Sequence, residues 1–439
     1  MLTLTDMFCG AGGSSTGATA VPGIEVRVAT DYWKLALETH GVNHPNADHI
    51  CADVSQTDPR RFPRTDLLWA SPECTNHSVA KGRKRVTAEN PGPPDAAAER
   101  SRATMWDVPR FAEHHKYRAI ITENVVDAAK WIMFDAWIHA MDNLDYEHRI
   151  VYLNSMHAQT YGLPAPQSRD RMYVVFWRKG DKAPDLDGMQ RPKAWRPSCD
   201  ELVESVQMWK KPDAPWGRYR AQYMYCCPKR SCRGQIVEPG WLPAATAIDW
   251  GLPAERIGDR VRPLSEKTMT RIREGLRRYG THLLEAAGHT YDAADPKHAG
   301  HGRPGAYMRV WHPDEPLRTL HTTVSKGLVL TPTRTTPLAA QTTSSTRALL
   351  IPVEGRAHTN HKAGDGAANA SLREPETINV EDCRFRMLEP DEVKRGMAFP
   401  ADYILLGTKR EQVKMVGNAV TPPSARDLVA TVAQALSTR

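Results

Sequence analysis

Nowhere in the 439 residues is there an apolar run of membrane-spanning length, which argues against a chain that crosses a bilayer by helices. Met1 to Phe8 run directly into a strand-like segment and a Gly-rich turn, leaving no room for a secretory leader. Cysteine is scarce: eight residues without regular spacing do not make a disulfide framework and suit a compartment that keeps thiols reduced. Charge is not extreme either, since the formal net charge of +7 is a mild basic excess that suits a polyanionic partner without proving one. These absences lead to the expectation of a soluble cytoplasmic protein with no membrane partner.

The chain is long for one core, and 41% hydrophobic residues provide for two domains. From Leu2 to about Lys179, short apolar runs alternate with helical stretches: Leu2 to Met7, Glu25 to Thr30, Asp66 to Ala70, Ala119 to Thr122, Ile150 to Asn154 and Met172 to Trp177. Strands separated by helices predict βαβ units, hence an α/β fold with a mostly parallel sheet. After Gly180 the composition turns rich in Pro, Trp and Arg, which marks a boundary. Further on, Pro316 to Thr319 leads to Gly327 to Leu330, and Pro337 to Ala340 leads to Ala348 to Ile351, an imperfect repeat that predicts strand pairs. Gly355 to Ser371, rich in Gly, Ala, Asn and His, reads as a loop.

Four constellations carry chemistry. Asp6 to Gly13 is a Gly-rich turn just past the first strand, where backbone can approach a ligand closely. Asp31 and Asp53 each stand at a strand end, where an acid can hold ribose hydroxyls or an adenine amino group, or simply cap a turn. Cys74 lies in the loop Ser71 to Ser78 past an apolar strand, and Glu123 follows another such strand before Asn124. A thiol and a carboxyl at neighbouring strand ends can act on one substrate at the carboxyl edge of the sheet. Arg169 and Arg171 precede the strand Met172 to Trp177, alternate onto one face, and can clamp a carbonyl or phosphate or form a solvated ion pair.

The order of Asp6 to Gly13, Pro72-Glu73-Cys74, Glu123-Asn124-Val125 and Gln167 to Arg171 resembles the DNA (cytosine-5) methyltransferase family. Arg386 to Glu392 and Gly417 to Val420 resemble the family's closing motifs. The resemblance implies a Rossmann-like S-adenosylmethionine-dependent methyltransferase domain over 1–180, a smaller target-recognition domain over 181–410, and a C-terminal helix over 411–439 returning to the first. It implies Phe8 against adenine, Asp31 on the ribose, Asp53 on the adenine amino group and Gly10 at the amino-acid end. Gly12, Tyr32, Val54, Asn418 and Ala419 would complete the pocket, and S-adenosylhomocysteine would be the product. Two positions depart from the family pattern: Glu73 and Thr75 flank Cys74, and Tyr161 to Gln167 is two residues longer than usual.

In the implied reaction Cys74 adds to carbon 6 of cytosine, because carbon 5 alone is a poor nucleophile. Glu123 steadies nitrogen 3, Arg171 holds the carbonyl, and Arg169 and Asn124 support the pocket. The target base would be flipped from double-stranded DNA, with Ser78, Lys81, Arg83, Lys84, Arg85 and Gln167 at the DNA and Lys81 to Arg85 as a basic lid or a solvated charge run. Cys226, Cys227 and Cys232 are half of a zinc site, with Cys199, His282 and His289 available, but no second ligand pair stands out and no metal is expected. The implied protein is a monomer of a bacterial or phage-infected cell, serving DNA methylation in restriction-modification. A tRNA cytosine methyltransferase and a catalytically impaired DNA-binding relative are the alternatives.

Overall fold

The computed structural model describes residues 1–73, 96–196, 198, 200–286, 309–332 and 378–437, with the side chains of 96–102 excepted. Strands β1 (Leu2–Met7), β2 (Ile24–Asp31), β3 (Asp48–Cys51), β4 (Leu67–Ala70), β5 (Ala119–Asn124), β6 (Tyr146–Asn154), the short β7 (Gln167–Ser168) and β8 (Asp170–Arg178) form the first region. All but β7 make one sheet of order β3-β2-β1-β4-β5-β8-β6. The first four pairings are parallel, and β8 runs antiparallel to both β5 and β6. The strands predicted from apolar runs all occur here, most of them with longer bounds.

Alternation along the strands divides the core into two layers. Leu68, Ile120, Val174 and Phe176 face α3 (Ala96–His115) and α4 (Phe134–Asn143) through Val108, Phe111 and Trp137. Leu67, Trp69, Ile121 and Val175 face α9 (Pro422–Ser437) through Leu428, Val429 and Val432. The helices α1 (Gly13–Thr19), α2 (Lys34–Asn43) and α5 (Leu186–Met189) complete this part. The chain therefore returns across its whole length to cover the sheet it begins with.

A second, antiparallel sheet has the order β10-β9-β13-β12-β11, from β9 (Lys193–Arg196), β10 (Glu201–Glu204), β11 (Val206–Trp209), β12 (Tyr223–Cys226) and β13 (Ile236–Pro239). Its Val203, Tyr223, Tyr225 and Val237 share the core of the α3 and α4 layer. A third sheet, β14-β19-β18-β15-β16, comprises β14 (Glu255–Arg256), β15 (His282–Glu285), β16 (Val310–Trp311), β18 (Lys326–Leu330) and β19 (Arg384–Met387), with α6 (Glu266–Tyr279) packed on it. The segments α7 (Pro390–Gly396) and α8 (Lys409–Asn418) link this sheet to α9.

The predicted repeat of strand pairs needs correction. Leu317–Arg318 (β17) pairs in parallel with β7, whereas β18 pairs with β15 and β19. The two halves of the supposed pair serve different sheets, because Leu317 N–H is taken by Pro166 O (2.9 Å). The second copy, Pro337 to Ile351, and the loop Gly355 to Ser371 lie outside the described residues. No helix among the described residues is long and apolar enough to cross a membrane.

Candidate active site

After Met7 the chain turns through Phe8, Gly10 and Gly12, all at positive φ (59°, 52° and 85°). Two glycines and one strained residue make this turn possible. It is pinned from β2: Cys9 N–H donates to Thr30 O at 3.1 Å, and the Asp31 carboxylate accepts from Gly10 N–H (2.9 Å) and Trp33 N–H (2.8 Å). Burial raises the Asp31 carboxyl above its usual range, opposed by these backbone donors.

A Cβ on Gly10 would meet nothing within 4 Å, whereas one on Gly12 would come within 2.6 Å of the Tyr403 hydroxyl, on Gly13 within 2.0 Å of Val420 O, and on Gly17 within 2.3 Å of Pro422 O. Gly10 therefore borders open space at the carboxyl end of β1. The other three make room for the C-terminal segment.

Below the turn lies a brace that the motif reading does not reveal. Asp6 accepts from the Ser14 and Ser15 hydroxyls at 2.6 Å each, and burial lifts its pKa to about 6. His40 joins Ser15 (2.9 Å) to His49 (2.8 Å), and His44 reaches the Thr16 hydroxyl at 3.1 Å. Burial lowers the pKa of all three histidines, that of His44 to about 4. The sequence signal is the pair His40 and His44, one helical turn apart.

At the end of β3, Asp53 caps the turn Val54–Gln56 by accepting from Ser55 N–H (3.1 Å) and the Gln56 amide (2.9 Å). Val54 is buried, and α3 holds this segment through Arg110 on Val54 O (2.5 Å) and Thr57 O (2.7 Å). Tyr32, exposed beside Asp31, hydrogen-bonds Glu73; burial first and that carboxylate second push its pKa to about 12. The departure at Glu73 thus has a structural partner across the same strand ends.

The loop after β4 is described as far as Glu73. Ser71 N–H donates to Met7 O (3.1 Å), and Glu73 N–H donates to the Thr104 hydroxyl of α3 (3.1 Å). Buried Asn124 spans to this loop: its amide donates to Pro72 O (3.3 Å), and its side-chain oxygen accepts from Val125 N–H (2.8 Å). Cys74, Ser78, Lys81, Arg83, Lys84 and Arg85 lie outside the described residues.

Glu123 pairs with Arg171 Nε at 2.8 Å, with side chains only 12% and 15% exposed. Register explains the meeting, since Glu123 opposes Tyr173 across the antiparallel β5–β8 pair and Arg171 enters two residues earlier. Arg169 and Arg171 do not share a target. The buried Arg169 guanidinium donates to Leu320 O (3.2 Å), Gly417 O (3.1 Å) and Ala419 O (3.2 Å). It binds backbone on either side of Asn418, which is exposed at the end of α8.

Gln167, expected at the DNA, is instead fully buried, accepting from Leu320 N–H (3.2 Å) and donating to Gly396 O (3.3 Å), on the strand β7 that pairs with Leu317–Arg318. Arg386 and Glu392 form a buried bidentate pair (2.6 and 2.7 Å), and Arg386 also holds Asp249 O (2.7 Å). The lengthened loop Tyr161 to Gln167 is tied to α9, where Asp427 accepts from Thr160 N–H (2.9 Å) and Arg426 donates to Leu163 O (3.2 Å). The connection between β11 and β12 supports the segment after Glu123, through Trp216 on Val126 O (2.9 Å) and Arg218 on Asp127 (2.6 Å).

Among the described residues no group of three or more His, Cys, Asp or Glu is placed to hold a metal ion. The sulfurs of Cys227 and Cys232 instead meet the Arg196 guanidinium. Cys199 and His289 lie outside the described residues, and buried His282 bonds Gly280 O at 2.6 Å.

A Gly-rich turn, acids at successive strand ends and a carboxylate–arginine pair along one sheet edge belong to a doubly wound α/β fold. The C-5 cytosine-specific DNA methylase family model matches residues 2–211 and 318–434, and the chain belongs to that family. It is 27% identical over 185 residues to the Type II methyltransferase M.NlaX of Neisseria lactamica, covering 41% of this chain and 54% of that protein. It is 25% identical over 179 residues to the Type II methyltransferase M.SsoII of Shigella sonnei, covering 40% and 42%. The chain thus spans about half the length of the curated relatives it matches. The solved Entamoeba histolytica methyltransferase EhMeth (TM-score 0.54, 10% identity, 100% and 99% covered) shares its fold. So does the S. pombe Dnmt2 methyltransferase (TM-score 0.53, 12% identity, 99% of both chains).

Proposed function

We propose that the protein is a DNA (cytosine-5) methyltransferase that flips a cytosine from duplex DNA and methylates carbon 5, as a Type II modification enzyme of a restriction-modification pair. The observation that carries this reading is the junction at Asn124. One residue holds the backbone two positions before Cys74, and its neighbour Glu123 pairs with Arg171.

Cys74 attacks carbon 6 of the extruded ring, breaking the 5,6 double bond and leaving carbon 5 electron-rich. Glu123 donates a hydrogen bond or proton at nitrogen 3 as negative charge develops there. Arg171, already fixed by Glu123, takes the ring carbonyl. Arg169 and Asn124 are positioning residues, since the one locks the Gly417 to Ala419 backbone and the other the Pro72 loop.

S-Adenosylmethionine, when bound, supplies an electrophilic methyl group. The open space above Gly10 fits its amino-acid end. Phe8, Gly12, Asp31, Tyr32, Asp53, Val54, Asn418 and Ala419 would surround the rest. Asp31 and Asp53 already brace their own turns, so each would hold the ligand from a fixed position.

We further assign residues 1–180 and 411–439 to catalysis and 181–410 to target recognition, with the chain acting as a monomer on double-stranded DNA. Ser78, Lys81, Arg83, Lys84 and Arg85 are assigned to the DNA side. Bisulfite sequencing of DNA from cells expressing the protein tests the proposal. Protected cytosines in one sequence context, absent with Cys74→Ser, are expected; unmodified DNA from cells making folded protein would overturn it.

A further inference from the structure

The hairpin between β12 and β13 carries three cysteines that the reaction above does not use, and it lies between the two stretches matched by the family model. Cys226 and Cys227 point apart. The Cys226 sulfur lies 3.4 Å from the Met208 sulfur on β11, whereas that of Cys227 lies 3.8 Å from Arg196 Nη1 on β9. The same nitrogen contacts the Cys232 sulfur.

Backbone geometry keeps Cys227 and Cys232 together. Cys227 N–H donates to Gln235 O and Gln235 N–H donates to Cys232 O, both at 2.9 Å. Arg233 and Gly234, at positive φ of 48° and 71°, fold the turn back between them. Arg196 is itself held, with its other nitrogen on Glu201 at 2.6 Å and a side chain only 3% exposed. The buried guanidinium thus faces both sulfurs and holds them on one side of the hairpin. Cys227 is buried and Cys232 half-exposed, so an oxidant reaches Cys232 first.

We propose that Cys227 and Cys232 form a redox-responsive dithiol poised by Arg196. Hydrogen peroxide, or another small hydroperoxide, is attacked by the Cys232 thiolate. The O–O bond breaks, Cys232 becomes a sulfenic acid and one water leaves once hydroxide is protonated. Cys227 then attacks that sulfur, the S–O bond breaks and a second water leaves. Two thiols and one peroxide yield one disulfide and two waters. The Arg196 side chain must swing aside, because a disulfide brings its sulfurs to about 2 Å.

The test is peptide mapping of the full-length protein, treated with hydrogen peroxide and then alkylated. Trypsin cuts between the two cysteines at Lys229 and Arg230, so a Cys227–Cys232 bond links two peptides that dithiothreitol separates. In Cys227→Ser, a dimedone label on Cys232 is expected in place of the bond. In Arg196→Lys, bond formation should persist at a several-fold lower rate. A bond through Cys226 instead, free thiols at both positions after peroxide treatment, or one zinc ion per chain released by thiol alkylation would each overturn the proposal.

Discussion

Asn124→Ala tests whether the reactive loop is set from β5. The substitution removes the donor to Pro72 O (3.3 Å) and the acceptor for Val125 N–H (2.8 Å). Pro72 and Asn124 are both buried, so the orphaned carbonyl should cost about 1–3 kcal/mol. In a domain of this kind that is a fall in Tm of roughly 2–4 °C per kcal/mol. The kinetic effect is separate from this loss, because a displacement of about 1 Å in a reacting group costs on the order of 10²-fold in a protein that is still folded. The assay is covalent trapping on a duplex containing 5-fluorocytosine, read on a denaturing gel beside thermal unfolding of the same sample. Adduct formation should slow by roughly 30- to 100-fold at temperatures where the variant is fully folded. A trapping rate within threefold of the parent, in a protein destabilised as expected, would refute the idea that Asn124 sets the loop.

Gly13→Ala should destabilise the chain by roughly 1–3 kcal/mol or more, since its Cβ would lie 2.0 Å from Val420 O, whereas Gly10→Ala meets no clash, should cost about 1–2 kcal/mol for its left-handed backbone, and should lose cofactor affinity beyond that cost; urea unfolding and calorimetric titration with S-adenosylmethionine separate the two. Gln167→Ala should lower stability by about 1–3 kcal/mol and leave the affinity of the folded protein for duplex DNA at fixed salt essentially unchanged; a roughly tenfold weaker complex from fully folded variant would return Gln167 to the DNA surface. Half-buried His44 and buried His157 have folded pKa values depressed by desolvation to about 4 and about 3. The unfolded chain therefore binds more protons in acid, and the stability present above about pH 6.5 is lost as pH falls toward those values. Both nitrogens of His157 lack a hydrogen-bond partner among the described residues, and its ring lies 4.5 Å from that of Tyr219. His157→Phe should keep neutral-pH stability and flatten the acid limb in denaturant titrations at pH 4 to 7; an unchanged acid limb would count against this account.

The strands of the first sheet are legible because their apolar runs are buried on both faces, as at Leu67–Ala70. The Gly-rich turn and the placing of Glu123 and Arg171 at strand ends are legible from motif order, but their pairing is not, because it depends on the antiparallel register of β5 and β8. Gln167 and Arg169 are not, because a polar side chain before a strand gives no local sign that carbonyls from Leu320 and Gly417 will surround it. The strand partners of Leu317 and Lys326 are also hidden, since register in the third sheet depends on segments far apart in sequence. The histidine brace under α1 escapes for a related reason: its anchors Asp6 and Ser15 lie on other elements, and periodicity within one helix says nothing of them.

The packing of α1 against the C-terminal segment has a consequence for synthesis. Tyr403 binds Ala11 O across a separation of 392 residues, so the pocket's floor waits for chain that leaves the ribosome long after its first strand. Contacts of such span form late and slowly. An interrupted translation product would therefore carry the early motifs yet lack the segment that packs beneath the Gly-rich turn.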